Sequence, residues 1–328
     1  MHTDRHANDR TPVAPYLAVG LSTVVHGVGS RADIAQNLEI VEDAVHAAMG
    51  VISINMPVKL IALAEGALTG FTDEAFDVPH VTAARDFYID VPGEETKVLG
   101  ELAIQYETYI VVQCKARWPE VMEDRYFNTL FVIAPTGEVV HKSAKNHLWC
   151  RERSCTPHDV YDRWVELFGD GIDAFYPVLR ADDIGNLGTI CCSDGEYPEA
   201  VRALALGGAE VVYRPSEAVP MTNVGYPGGG TWMLQNRAHA HFNNVYVIAP
   251  NVGPVYLHPK NLWMEQDPSS HAEVDEVYRA NIRRLIERGS FTPPAHEFEG
   301  ARFFPMDPDL SPAEAWKQAR ELWDEPDA

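Results

Sequence analysis

The sequence predicts a layered α/β fold, on two observations. Strand-like and helix-like segments alternate from Tyr16 to Ala249, and Val58 to Ala64 is a continuous apolar run of the kind shown by a strand covered on both faces. Residues 1 to 14 are polar and are expected to be disordered, with order beginning near Pro15. Tyr16 to Val25 is apolar and β-branched enough for a buried strand. Ser30 can cap a helix whose apolar positions Ile34, Leu38, Val41, Val45 and Ala48 recur at three- and four-residue steps. The run Val58 to Ala64 ends directly at Glu65, which places an acidic residue at a strand's C-terminal end. A helix over Glu95 to Tyr106, entered through Pro92-Gly93, precedes the strand Thr108 to Cys114. Phe127 to Ile133 and Glu138 to His141 flank the turn Pro135-Thr136-Gly137 as a hairpin, and Lys142 to His147 follows at once.

Trp149 to Asp170 is charged and irregular. Asn186 to Cys192 then reads as a buried strand, Pro198 to Leu206 as a helix stopped by Gly207-Gly208, and Glu210 to Tyr213 as a strand. A loop containing Gly225 and Gly228 to Gly230 leads to a helix (Thr231 to His241) and a strand (Val245 to Ala249). Beyond Asn251 the pattern changes. Pro254 to Ser270 is Pro-rich and unpatterned, Ala272 to Arg288 is a charged amphipathic helix, and Ala313 to Trp323 is a short acidic one. The organisation expected is a disordered segment over 1–14, one domain over 15–257, and an extension over 258–328 packing on that domain or on a neighbouring subunit.

Composition narrows the function classes. The chain has 328 residues, 46% of them hydrophobic, enough for a sizeable core. Twenty-six Lys and Arg against 48 Asp and Glu give a net charge of −22, which repels phosphate backbones and anionic lipid head groups. Neither nucleic acid nor membrane is an expected partner. No apolar run approaches the roughly 20 residues that span a bilayer, the start lacks the layout of a signal peptide, and the expected location is cytoplasmic. Five cysteines, Cys114, Cys150, Cys155, Cys191 and Cys192, are an odd number and argue for reduced thiols.

The most informative segment is Gly188-Thr-Ile-Cys-Cys-Ser-Asp-Gly-Glu-Tyr-Pro-Glu199, in which an apolar strand delivers a thiol to its end just before a helix opened by Pro198. A cysteine there has backbone N–H groups near it, which favour the thiolate and offer a donor to an oxyanion. Strand alternation points Cys191 away from Cys192, into the layer behind. On the bare residues, both are as readily core cysteines.

Cys192-Ser-Asp-Gly-Glu-Tyr-Pro-Glu199 resembles the nucleophile motif of the nitrilase superfamily, the carbon–nitrogen hydrolases, and most closely its aliphatic amidase and formamidase branch. Leu60-Ile-Ala-Leu-Ala-Glu65 is similar to the strand that ends in the family's catalytic glutamate, with Ala64 where the family usually has proline. Gly137 to His147 resembles the segment carrying the family lysine, and its spacing selects Lys145 over Lys142. Asn37-Leu38-Glu39, Asn128-Thr129, Ala238 and Asn251 extend the likeness, which covers Pro15 to Asn251. It implies a four-layer α–β–β–α sandwich assembled into homo-oligomers. It also implies hydrolysis of a small linear amide to a carboxylic acid and ammonia, without a cofactor. Cys192 would be the nucleophile, Glu65 the general base and acid, and Lys145 with the Ser193 backbone N–H the oxyanion donors. Asp194-Gly195, in place of the Trp-Glu of true nitrilases, favours amide over nitrile, while Lys145-Asn146-His147 also looks like the N-carbamoyl amine branch.

Glu152 and Trp149 are candidates for substrate binding. The alternative for Glu152 is a solvated place in the charged run Arg151 to Arg153, since the branch spacing lands on Arg153. His147, Cys150, Cys155 and His158 match no standard zinc spacing, and no metal is expected. His239-Ala240-His241 puts two imidazoles on different sides of a helix, a structural arrangement. One departure stands out: the hairpin that normally follows the strand ending at Asn251 is not found. Either the chain is shortened there or a partner fills the gap. A catalytically inactive interaction protein, or a metal- or redox-sensing cysteine protein, are the readings of other classes.

Overall fold

The computed structural model describes residues 12–52, 56–75, 78–218 and 230–256. Twelve strands and eight α-helices follow in order: β1 (Leu17–Leu21), β2 (Val25–His26), α1 (Ile34–Ile52), β3 (Val58–Leu63), α2 (Thr72–Ala75), α3 (His80–Thr82), β4 (Ile89–Asp90), α4 (Glu94–Tyr106), β5 (Tyr109–Trp118), β6 (Met122–Ile133) and β7 (Val139–Ala144). Then come α5 (Tyr161–Phe168), α6 (Ile172–Phe175), β8 (Val178–Leu179), β9 (Leu187–Thr189), α7 (Pro198–Leu206), β10 (Val211–Tyr213), α8 (Gly230–Asn243), β11 (Tyr246–Ile248) and β12 (Val255–Tyr256). One sheet has the order β1-β3-β5-β6-β7, with β4 paired to the far end of β5; the other has the order β11-β10-β9-β8.

The layering follows from alternation along strands buried on both faces. Leu60 and Ala62 of β3 point to the second sheet, where they pack with Val111, Leu130 and Val132 against Leu187, Cys191, Val211 and Tyr213. Ile61 and Leu63 point the other way, into a core closed by Val41 and Val45 of α1 and Leu99 and Leu102 of α4. On the far side, Ile190 and Val212 meet Ala200, Val201 and Leu204 of α7. The result is the expected order of helices, sheet, sheet, helices. No helix among the described residues is long and apolar enough to cross a membrane.

Several expectations are corrected. Tyr16 to Val25 is not one strand: β1 ends at Leu21, and β2 leaves the sheet to pair in parallel with β12. Helix α1 is preceded by a 3₁₀ turn over Arg31–Asp33, in which the Asp33 carboxylate accepts the Gly29 and Ser30 N–H groups. The strand expected to stop at Cys114 runs on to Trp118, and its partner begins at Met122. Lys115 disguised this extension, because it is fully buried against Asp73 and Glu74 at 2.5 and 2.8 Å. Within the charged stretch 149–170, α5 buries Trp164 beside Trp118 and Phe127. The strand expected over Asn186 to Cys192 ends at Thr189, and Cys192 opens a 3₁₀ turn over Cys192–Glu196. After Asn251, which bridges to Ser216, the described chain turns to β2 and adds no strand to the second sheet. Residues 1–11, the glycines at 225–229 and the helices expected over 272–288 and 313–323 lie outside the described residues.

Candidate active site

Three strand ends converge. β3 delivers Glu65, β7 delivers Lys145 and β9 delivers the two cysteines, all at the same end of the facing sheets. Lys145 Nζ lies 3.4 Å from Glu65 Oε1, and Cys191 Sγ donates to that same oxygen at 3.0 Å. Cys192 packs against the same cluster as Cys191, near enough to the Glu65 carboxyl to help lower its pKa. Oε2 accepts the backbone N–H of Glu217 at 2.9 Å. Lys142 is excluded: its ammonium sits 3.8 Å over the Trp118 ring, outside the site.

Both cysteines pack into the cluster between the sheets, which corrects the expectation that they diverge. Alternation carries Leu187, Thr189 and Cys191 to the face between the sheets, so Cys191 is the cysteine aimed at Glu65 by the strand. Cys192 would follow Ile190 to the opposite face, but its backbone is left-handed, with φ of 43°, and the turn swings it back. Such a conformation is costly for a residue with a Cβ and persists only where its surroundings hold it. Here the Cys192 N–H donates to Pro215 O at 2.9 Å, and Arg214 Nε donates to Cys192 O at 3.0 Å. Arg214 is in turn fixed by Asn236 and Gln235 of α8, and Gly195 gives it room: a Cβ there would lie 2.1 Å from Arg214 Nε.

Glu152 belongs to the site and not to a solvated run. Its side chain is buried, Oε2 accepts from Lys145 Nζ at 2.6 Å, and Oε1 accepts from Asn128 Nδ2 at 2.7 Å and Ser154 Oγ at 3.2 Å. Asn128 also reaches Glu65 Oε1 at 3.4 Å. The Asn128 amide is oriented by Gln113, whose Nε2 donates to Asn128 Oδ1 at 2.7 Å while its Oε1 accepts the Gly66 N–H at 2.6 Å. Trp149 lies in the segment after β7, 45% exposed, with Arg151 over its ring. Ser193 is buried, and its hydroxyl donates to His147 O at 2.6 Å. His239 donates to Gly195 O at 2.8 Å, the structural arrangement expected. Among the described residues, no group of three His, Cys, Asp or Glu could hold a metal ion.

The charges are set by burial working against pairing. Burial pushes the Glu65 carboxyl up, but the Lys145 ammonium, the Cys191 thiol and the Glu217 N–H, with a smaller part from Cys192, outweigh it and hold it below the usual range. Burial pulls Lys145 down, and Glu152 and Glu65 together carry it well above its ordinary value. Burial and then the Glu65 charge push both thiols up, Cys191 and Cys192 alike. The resting site therefore holds a carboxylate, an ammonium and two protonated thiols. Two further carboxyls nearby are pushed up by burial, Glu74 to about 7 and Glu217 to about 8.

Sequence reasoning missed Gln113, Asp194, Arg214, Glu217 and the role of Cys191. Asp194 lay inside the nucleophile motif and Arg214 at the end of a strand, which were the available signals; Glu217 had none.

With this geometry in hand, the likeness to known proteins can be placed. A family model for carbon–nitrogen hydrolases matches residues 18–263. The formamidase of Bacillus thuringiensis (strain Al Hakam) is 28% identical over 242 residues, covering 74% of this chain and 63% of that protein; the formamidase of Bacillus cereus (strain Q1) aligns with the same figures. The chain thus spans 63% of the length of these curated relatives. Nit3 of Saccharomyces cerevisiae, a member of branch 10 of the nitrilase superfamily, superposes with a TM-score of 0.52 at 22% identity, over 71% of this chain and 76% of Nit3, and so has the same fold. Through the match over residues 18–263, the chain belongs to the carbon–nitrogen hydrolase family.

Proposed function

We propose that the protein hydrolyses a small linear amide to a carboxylic acid and ammonia through a thioester on Cys192. The observation that carries this reading is one buried carboxylate, Glu65, with the Lys145 ammonium and the Cys191 thiol at hydrogen-bonding reach and Cys192 packed against the same cluster. In this reading Glu65 takes the Cys192 proton as the sulfur attacks the amide carbon, then passes it to the departing nitrogen. The oxyanion is received by Lys145 Nζ and the Ser193 N–H, the first backbone donor past Cys192, whose own N–H is engaged by Pro215. Water deprotonated by Glu65 then cleaves the thioester and restores the thiol. Glu152 serves by holding Lys145 and Asn128 in place.

A homo-oligomer and a cytoplasmic location belong to the same proposal. Exposed Leu234, Phe242 and Tyr246, the last 79% accessible, support self-association, and the five free cysteines support a reducing compartment.

The test is ammonia release from formamide and other short amides, short nitriles and N-carbamoyl amines in parallel. Amide turnover is expected, abolished in Cys192→Ala and lowered about 10²–10³-fold in Lys145→Ala. Turnover of nitriles or carbamoyl amines alone would overturn the substrate class, and no turnover of any of them would favour an inactive interaction protein.

A further inference from the structure

The reaction above uses the Cys192 thiol, yet the thiol that hydrogen-bonds Glu65 Oε1 at 3.0 Å is that of Cys191. Cys191 is fully buried, 0% accessible, among Leu60, Ala62, Val111 and Tyr213 between the sheets. Its N–H is tied to Asp194 Oδ2 at 3.0 Å and its carbonyl accepts the Asp194 N–H at 2.9 Å, which fixes the backbone, while the packing around it confines the side chain. A sulfur closed off in this way cannot meet a substrate carbonyl, whereas Cys192 is only partly buried. Apolar surroundings and the adjacent carboxylate keep the Cys191 thiol protonated, which makes it a donor to Glu65 and nothing else.

We propose that Cys191 is a positioning residue for the hydrolysis, its S–H locking Glu65 Oε1 in the ionised, proton-accepting state. The inference rests on the proposed role of Glu65 as the base for Cys192. The remaining partners divide the carboxylate around this contact. Lys145 and Asn128 approach Oε1 at 3.4 Å each, longer than the thiol, and the Glu217 N–H holds Oε2. A donor to the charged form lowers a carboxyl's pKa, so Cys191 extends the activity to lower pH.

The experiment is the pH profile of kcat/KM for formamide hydrolysis by the full chain as wild type, Cys191→Ala, Cys191→Val and Cys191→Ser. Loss of the donor in the alanine and valine variants moves the acid limb up by about one pH unit. Serine keeps a donor and leaves the limb at or below the wild-type position. If one apolar variant does not fold, the other against serine gives the same contrast. An acid limb that stays in place in the apolar variants, or moves equally in all three, overturns the inference. Cys192→Ala is measured alongside. Loss of activity in it with an unmoved limb in the Cys191 series overturns this inference alone, whereas retained activity in Cys192→Ala overturns the proposed reaction and this inference with it.

Discussion

Asp194 shows how a single residue can join two distant parts of the chain. Its Oδ1 accepts the Asn146 N–H at 3.1 Å, the His147 N–H at 2.8 Å and His147 Nδ1 at 3.0 Å, while Oδ2 accepts the Cys191 N–H. The carboxylate therefore locks the segment carrying Lys145 to the turn carrying Cys192. Asp194→Ala leaves these buried donors unpaired, at a cost of about 1–3 kcal/mol for each one that water cannot reach. The expected outcome is a lower midpoint in thermal unfolding and a fall in kcat larger than any rise in KM, since the variant displaces reacting groups relative to one another. The convergence of Glu65, Lys145 and Cys192 was legible in the sequence because each follows a strand in a recognisable motif. Cys191 was misplaced because alternation was carried through Cys192, where the left-handed backbone breaks it.

At the level of elements, the site depends on what happens just past the strand ends. The turn after β9 packs against the Arg214 guanidinium without a gap, and only glycine fits at position 195. Gly195→Ala must displace Arg214 from Cys192 O or move the turn itself, a clash with a stiff, multiply bonded group costing about 1–3 kcal/mol. Reduced thermal stability together with reduced amide turnover is expected in the purified variant; unchanged values for both would show that the Arg214 contact does not hold the nucleophile. Helices α1, α4, α7 and α8 and the hairpin of β6 and β7 were legible from their periodicity and turn residues. The outer half of the β5–β6 hairpin was not, because Lys115 and Arg117 interrupt the apolar run although Lys115 is buried on Asp73 and Glu74, with the Tyr88 and Tyr126 hydroxyls donating to Asp73. Helix α5 was overlooked although Tyr161, Trp164, Val165 and Phe168 recur at three- and four-residue steps, because its eight residues make only two turns inside a charged stretch.

For the molecule as a whole, alternation of strands and helices established the class, and the family resemblance supplied the number of layers, which local patterns cannot encode. Buried carboxyls then set how stability responds to pH. Glu217 titrates near 8 and Glu74 near 7 in the native chain, against 4.5 when unperturbed. Between those values the native state keeps protons that the unfolded chain has released, so stability falls as pH rises from about 4.5 to about 8. Glu65 and Asp73 act in the opposite sense: their depressed native pKa values add stability above the ordinary carboxylate range, which is lost as pH drops through them. Thermal midpoints measured across pH should therefore peak on the mildly acidic side, and Glu217→Gln should flatten the decline toward pH 8; an undiminished decline would assign it to other groups. The most direct test of the account is to quench the enzyme in acid during turnover of a short amide and map the acyl group by tandem mass spectrometry. A thioester on Cys192, absent in Glu65→Gln, is the predicted result; an acyl group on Cys191, or ammonia release with no acylated cysteine, would contradict it.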